Sequence, residues 1–154
     1  MGVQQDTLEP EVPTVKASIG AVVLALCGGA FVQPGTPIKA QAKVTVVITS
    51  PLNGDTVTSP VLIKLRATGV RIVPATVEQR GTGHHHLFVD QELKWINDTI
   101  PAGSPGIIHL GRGQTEFRLD SLAPGPHRVI ALIADWNHVP LHPLVADTVT
   151  FTVK

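Results

Sequence analysis

Val61-Leu62-Ile63-Lys64-Leu65-Arg66-Ala67-Thr68 decides the fold. Val61, Ile63, Leu65 and Ala67 alternate with Lys64, Arg66 and Thr68. A period of two places one set on a buried face and the other in water, which is the pattern of a half-buried strand. The same pattern recurs outward in both directions. Residues 44–49 alternate Val44, Val46 and Ile48 with Thr45, Val47 and Thr49. Residues 148–153 alternate Val149, Phe151 and Val153 with Thr148, Thr150 and Thr152. No stretch after residue 42 holds a helical period. Residues 127–135 are apolar on both faces, so this strand is expected at a sheet centre. Shorter strands are expected over 84–90, 107–110 and 115–119.

Turn chemistry separates these runs. Asn53-Gly54 is expected to supply positive φ angles, and Gly111-Arg112-Gly113 and Ala123-Pro124-Gly125-Pro126 mark further turns. With 13 Pro, 14 Gly and few aromatics, the core must come from Val, Ile and Leu. The expected architecture is all-β: an immunoglobulin-like Greek-key β-sandwich of about seven strands over residues 43–154. An eight-stranded jelly roll is the rival arrangement. Because the chain closes on a strand, truncating it there is expected to be harmful.

The segment before this domain has another character. Residues 19–32 (IGAVVLALCGGAFV) form an uncharged apolar run, preceded by Lys16 and followed by Ala40-Gln41-Ala42. That order of charge, apolar core and small-residue site predicts a signal peptide over residues 1–42. The run is shorter than the roughly 20 residues a spanning helix needs, so no stable membrane span is expected after processing. An uncleaved anchor is the alternative. The expected location is the periplasm or the medium. The single cysteine, Cys27, lies inside this run, so the processed domain would carry no disulfide and no thiolate site. A net charge of zero argues against a nucleic-acid partner.

Histidine carries the chemistry. Gly83-His84-His85-His86-Leu87 places three in a row, and His109, His127, His138 and His142 follow. Neutral imidazole is a common ligand for Zn and Cu. On a strand, His84 and His86 point to one face and His85 to the other. In a Greek-key sandwich, the loops beside the third, fourth and sixth strands gather at one end. Six histidines are thus expected together, with His127 alone at the far end. The expected metal ligands are His84, His86, His109 and His138. Asp90, Asp135 and Glu116 are candidate carboxylates that orient them, with His85, Trp136 and His142 close by.

Other motifs carry less. The Gly111–Gly113 turn lacks the Gly-Lys-Ser/Thr ending of a phosphate loop. Ser104 and Ser121 lack a nucleophile-elbow context. Asn97-Asp98-Thr99 fits the glycosylation sequon, a short pattern of low specificity.

Several of these pieces together resemble a bacterial family of small exported proteins, domain of unknown function 4399. They are Ser50-Pro51 with Gly54, Gly83-His84-His85-His86-Leu87 with Asp90, and His109 with Gly111, Gly113, Gln114, Thr115 and Glu116. Leu122 with Pro124, Gly125 and His127 also matches, as do Asp135 and His138. Leu110 departs from the pattern, where an aromatic is expected. The resemblance implies an exported single domain and no particular activity. It also draws Gln114, Thr115 and Glu116 toward the candidate site.

The leading expectation is a non-catalytic exported domain that holds or delivers a Cu or Zn ion. One rival is an interaction module that contacts an extracytoplasmic protein or glycan through Trp136 and the histidines. The other is an enzyme, a metal-dependent hydrolase or copper redox protein; it ranks lower because no general base stands at a usable spacing.

Overall fold

Residues 42–154 are described by the computed structural model. The expected signal peptide, save its last residue, and Cys27 lie outside them. Nine strands form from the alternating runs: β1 (Thr45–Ser50), β2 (Thr56–Val57), β3 (Val61–Thr68), β4 (Arg71–Ile72), β5 (Thr82–Val89), β6 (Ile107–Leu110), β7 (Glu116–Leu119), β8 (Gly125–Ala134) and β9 (Ala146–Val153). Seven are the expected strands with ends shifted by a residue or two. The extra pair, β2 and β4, are two residues each and add in parallel to β9 and β5. Such short pieces hold too few residues to show any period. The described residues contain no helix long and apolar enough to cross a membrane.

Two sheets result. β1, β3 and β7 make the smaller, in the order β1-β3-β7. The larger runs β2-β9-β8-β5-β4, with β6 also paired to β5. The period-two pattern explains why they stack. Val46, Ile48, Val61, Ile63 and Leu65 of the smaller sheet pack against Leu87, Val129, Ala131, Ile133, Val149 and Phe151 of the larger. The opposite face of the smaller sheet carries Lys64, Arg66 and Arg118 and stays wet.

The larger sheet is apolar on both faces at β5 and β8, as the continuous run in residues 129–134 predicts. Its outer face carries Phe88, Ile130, Leu132 and Ala134, which join Ile100 in a second buried cluster. The cover is the connection between β5 and β6. Mostly polar in sequence, it lays Leu93, Trp95 and buried Ile100 over the sheet. A second difference concerns the Asn53-Gly54 turn. Only Gly54 takes positive φ (85°), and Asp55 N–H donates to Leu52 O at 3.1 Å. One residue of positive φ in the third position suits a type II turn rather than the two-residue mirror-image form.

Phe88 tests the second core. It is fully buried on the outer face and shares a strand with the histidines. Phe88→Ala is expected to cost about 3–5 kcal/mol of folding stability, read from urea denaturation. A loss under about 1 kcal/mol would mean that the outer face is not packed as described.

Candidate metal centre

Alternation along β5 sends His84 and His86 to the same face as Phe88, away from the smaller sheet. Strand pairing then adds the third imidazole. His109 of β6 is the direct cross-strand partner of His86. On the other side of β5, His84 pairs with Ala134, the last residue of β8. The chain leaves β8 there, turns tightly, and brings in His138. Asp135 builds that turn: its Oδ1 accepts the Asn137 N–H at 2.8 Å and the Val139 N–H at 3.1 Å. His138 adopts φ 62°, a left-handed conformation that histidine tolerates better than most residues. Its carbonyl accepts the Ile100 N–H at 2.9 Å, which ties the turn to the covering connection.

The four side chains converge. One ligand-capable nitrogen from each of His84, His86, His109 and His138 lies within 4.8 Å of the others. His84 Nε2 and His86 Nε2 stand 3.0 Å apart, so one donates to the other. His84 and His86 are buried, His138 is half-buried, and His109 is exposed. The group thus has a buried floor and a solvent-facing edge. Among the described residues, no carboxylate belongs to it.

Electrostatics favours the neutral form of His84, His86 and His109. Burial first, and then the neighbouring His109, His138 and His85, lower His84 from its usual 6.5 to about 4. His86 falls to about 2, again through burial first and then through His84 and the others. Burial and His138 also lower His109. A neutral imidazole keeps the lone pair that a metal needs. His86 Nδ1 is buried with no hydrogen-bond partner among the described residues. Polar atoms stranded in this way cost roughly 1–3 kcal/mol, so the cluster is not explained as a stabilising network.

Gly111 has a role that the sequence did not reveal. A Cβ there would overlap Cε1 and Nε2 of His109. The glycine therefore makes a seat for the third imidazole, and the reason is side-chain space rather than backbone conformation. A Gly-x-Gly turn directly after a candidate ligand is the only signal that could have suggested it.

The structure separates the other candidates from this group. His85 faces the sandwich interior, where its Nδ1–H donates to Gln114 O at 3.0 Å. Its Nε2 is buried without a partner among the described residues. Gln114 therefore touches His85 through its backbone, and its side chain accepts the Arg112 N–H at 2.7 Å. Asp135 orders the turn backbone and does not belong to the imidazole group. Trp136 is half-buried in the same turn, and His142 is exposed and outside the four. Glu116 is exposed on β7, in the other sheet, so the sandwich thickness of about 10 Å stands between.

Asp90 is the clearest correction. It lies six residues beyond His84 along an extended strand, about 20 Å away at ~3.4 Å per residue. There it pairs with His127, the one histidine expected at the far end. His127 Nδ1–H donates to Asp90 Oδ2 at 2.7 Å, and Nε2–H donates to Ala123 O at 2.7 Å. Asp90 Oδ1 also accepts the Arg128 N–H at 2.8 Å. Antiparallel pairing of the two strands could have shown this, since the end of one must meet the start of the other.

With fold and site in view, the chain can be placed. It is an all-β, two-sheet domain with a cluster of imidazoles on the outer face of the larger sheet. Residues 63–154 match the family described as "Domain of unknown function (DUF4399)", and the chain belongs to that family. All four clustered histidines fall inside the match. No curated protein matches the chain. Among solved structures, the chain is similar to an engineered protein from a structural genomics consortium, at 17% identity and a TM-score of 0.46. That alignment covers 75% of this chain and 21% of the engineered protein.

Two outcomes follow from these contacts. Gly111 has an ordinary φ, so Gly111→Ala is expected to change stability by no more than about 1 kcal/mol. It should nonetheless drive the His109 ring out of the group. Imidazole NMR resonances of His84, His109 and His138 would shift, and unchanged resonances would contradict the seat. The second outcome concerns pH. The bond to Ala123 O, then Asp90, raises His127 above 6.5. A raised folded-state value stabilises the fold fully below 6.5 and loses that contribution as pH climbs through the raised value. The thermal midpoint of wild type should exceed that of His127→Gln in mildly acidic buffer, and the gap should close in alkaline buffer. A gap that widens with pH would reverse the assignment.

Proposed function

We propose that this protein binds a transition-metal ion, Cu or Zn, through His84, His86, His109 and His138, and holds or delivers it outside the cytoplasm. One observation carries the reading: a ligand nitrogen from each residue lies within 4.8 Å of the rest, although the residues span three separate parts of the chain. Two supports come from physics. Burial keeps His84 and His86 as neutral imidazoles, the ligand form. No carboxylate of the described residues joins the group to hydrogen-bond the imidazoles in a cation's place. The export half of the proposal rests on the apolar run at 19–32 and the Ala40-Gln41-Ala42 site.

Protein purified without a metal-affinity column is expected to carry, or to take up, one equivalent of Cu or Zn. An ion that binds only the folded form adds about 2.7 kcal/mol at a hundred times its Kd, so the thermal midpoint should rise by several degrees. His84→Ala and His109→Ala should each weaken binding by more than the roughly 10–100-fold lost when an outer partner of a ligand is removed. A protein with no bound metal and no midpoint shift on adding Cu or Zn would end this reading.

A further inference from the structure

We propose that the four imidazoles form a closed tetrahedral site that favours Zn(II) or Cu(I) over Cu(II). The inference rests on the metal-binding reading above and adds the geometry of the ion. Four points form six pairs, and the pattern of the six distances separates a tetrahedron from a square. In a tetrahedron all six are equal. In a square the two diagonals exceed the four sides by a factor of about 1.4, which is the arrangement tetragonal Cu(II) prefers.

The ring centroids are spaced as a tetrahedron. His84 lies 4.9 Å from His86, 4.9 Å from His109 and 5.0 Å from His138. His86 lies 4.9 Å from His109 and 5.7 Å from His138, and His109 lies 4.7 Å from His138. A square requires two long distances that share no residue. The only long one, His86 to His138, is opposed by His84 to His109 at 4.9 Å. Absolute size agrees as well. Zn–N bonds of about 2.0–2.1 Å, extended to the ring centres, separate tetrahedral imidazole centroids by about 5 Å.

The scaffold resists flattening to a square. His84 and His86 lie on one strand, buried against the second core, and His109 is held opposite His86 by pairing and seated on Gly111. His138 is fixed by the Asp135 turn. Four protein ligands also leave no open position, which is the pattern of a holding site rather than a catalytic one. The ion would enter at exposed His109.

Co(II) reports the geometry through its visible spectrum. The full domain loaded with Co(II) is expected to show the intense absorption of a four-coordinate ion. His138→Ala should weaken those bands as water enters. Zn(II), and Cu(I) under anaerobic conditions, should each form a one-to-one complex. In competition, the advantage of Cu(II) over Zn(II) should be at least about tenfold smaller than in a flexible peptide carrying four histidines, where the ordinary affinity order applies. Tight binding with weak six-coordinate Co(II) bands, or an undiminished Cu(II) preference, would overturn the tetrahedron and leave metal binding standing. Failure to bind any of these ions would overturn both.

Discussion

The register of β5 between β6 and β8 is the constraint on which the site depends. Pairing sets His86 opposite His109 and His84 opposite Ala134, where the chain turns back with His138. A slip of one residue would send His85 outward and push His84 and His86 into the sandwich interior. The apolar residues forbid that slip. Leu87, Val129, Ala131 and Ile133 all face inward in the present register, and all are fully buried. Packing of aliphatic side chains therefore holds the imidazole geometry, although none of those residues belongs to the imidazole group.

The two ends of β5 treat histidine in opposite ways. At one end, His84 and His86 are buried among other imidazoles with no carboxylate of the described residues in the group, so protonation is penalised. At the other end, His127 meets a carbonyl and a carboxylate, so protonation is favoured. Burial without an anion preserves lone pairs, and pairing with an anion removes them. This contrast explains why Asp90 belongs to a structural clamp. Had it joined the cluster, the group would contain a charge that hydrogen-bonds the imidazoles and competes with a cation for them.

Much of the fold was legible because burial of one face writes itself into alternation, and burial of both faces into a continuous apolar run. Residues 61–68 and 148–153 show it without ambiguity, and the continuous apolar run at 129–134 marks the strand that packs on both faces. β2 and β4 escaped because two residues carry no period. The covering role of the connection between β5 and β6 was not legible because Ile100 and Trp95 stand isolated among polar neighbours and become core only when the sheet lies beneath them. In the site, His84 and His86 share a face by parity alone. Asp135 reaches the cluster only by shaping a backbone turn, and a carboxylate acting on amides looks the same in sequence as one acting on imidazole.

By itself, the sequence determined the strands, their inward and outward faces, and the residue type that carries the chemistry, since each is a local property of neighbouring side chains. Only the tertiary structure decided which histidines meet, where Asp90 and Glu116 go, and why residue 111 must lack a side chain. Those outcomes depend on contacts between strands far apart in the chain. Such contacts are set by the summed packing of two hydrophobic layers, and no single stretch of residues contains that sum.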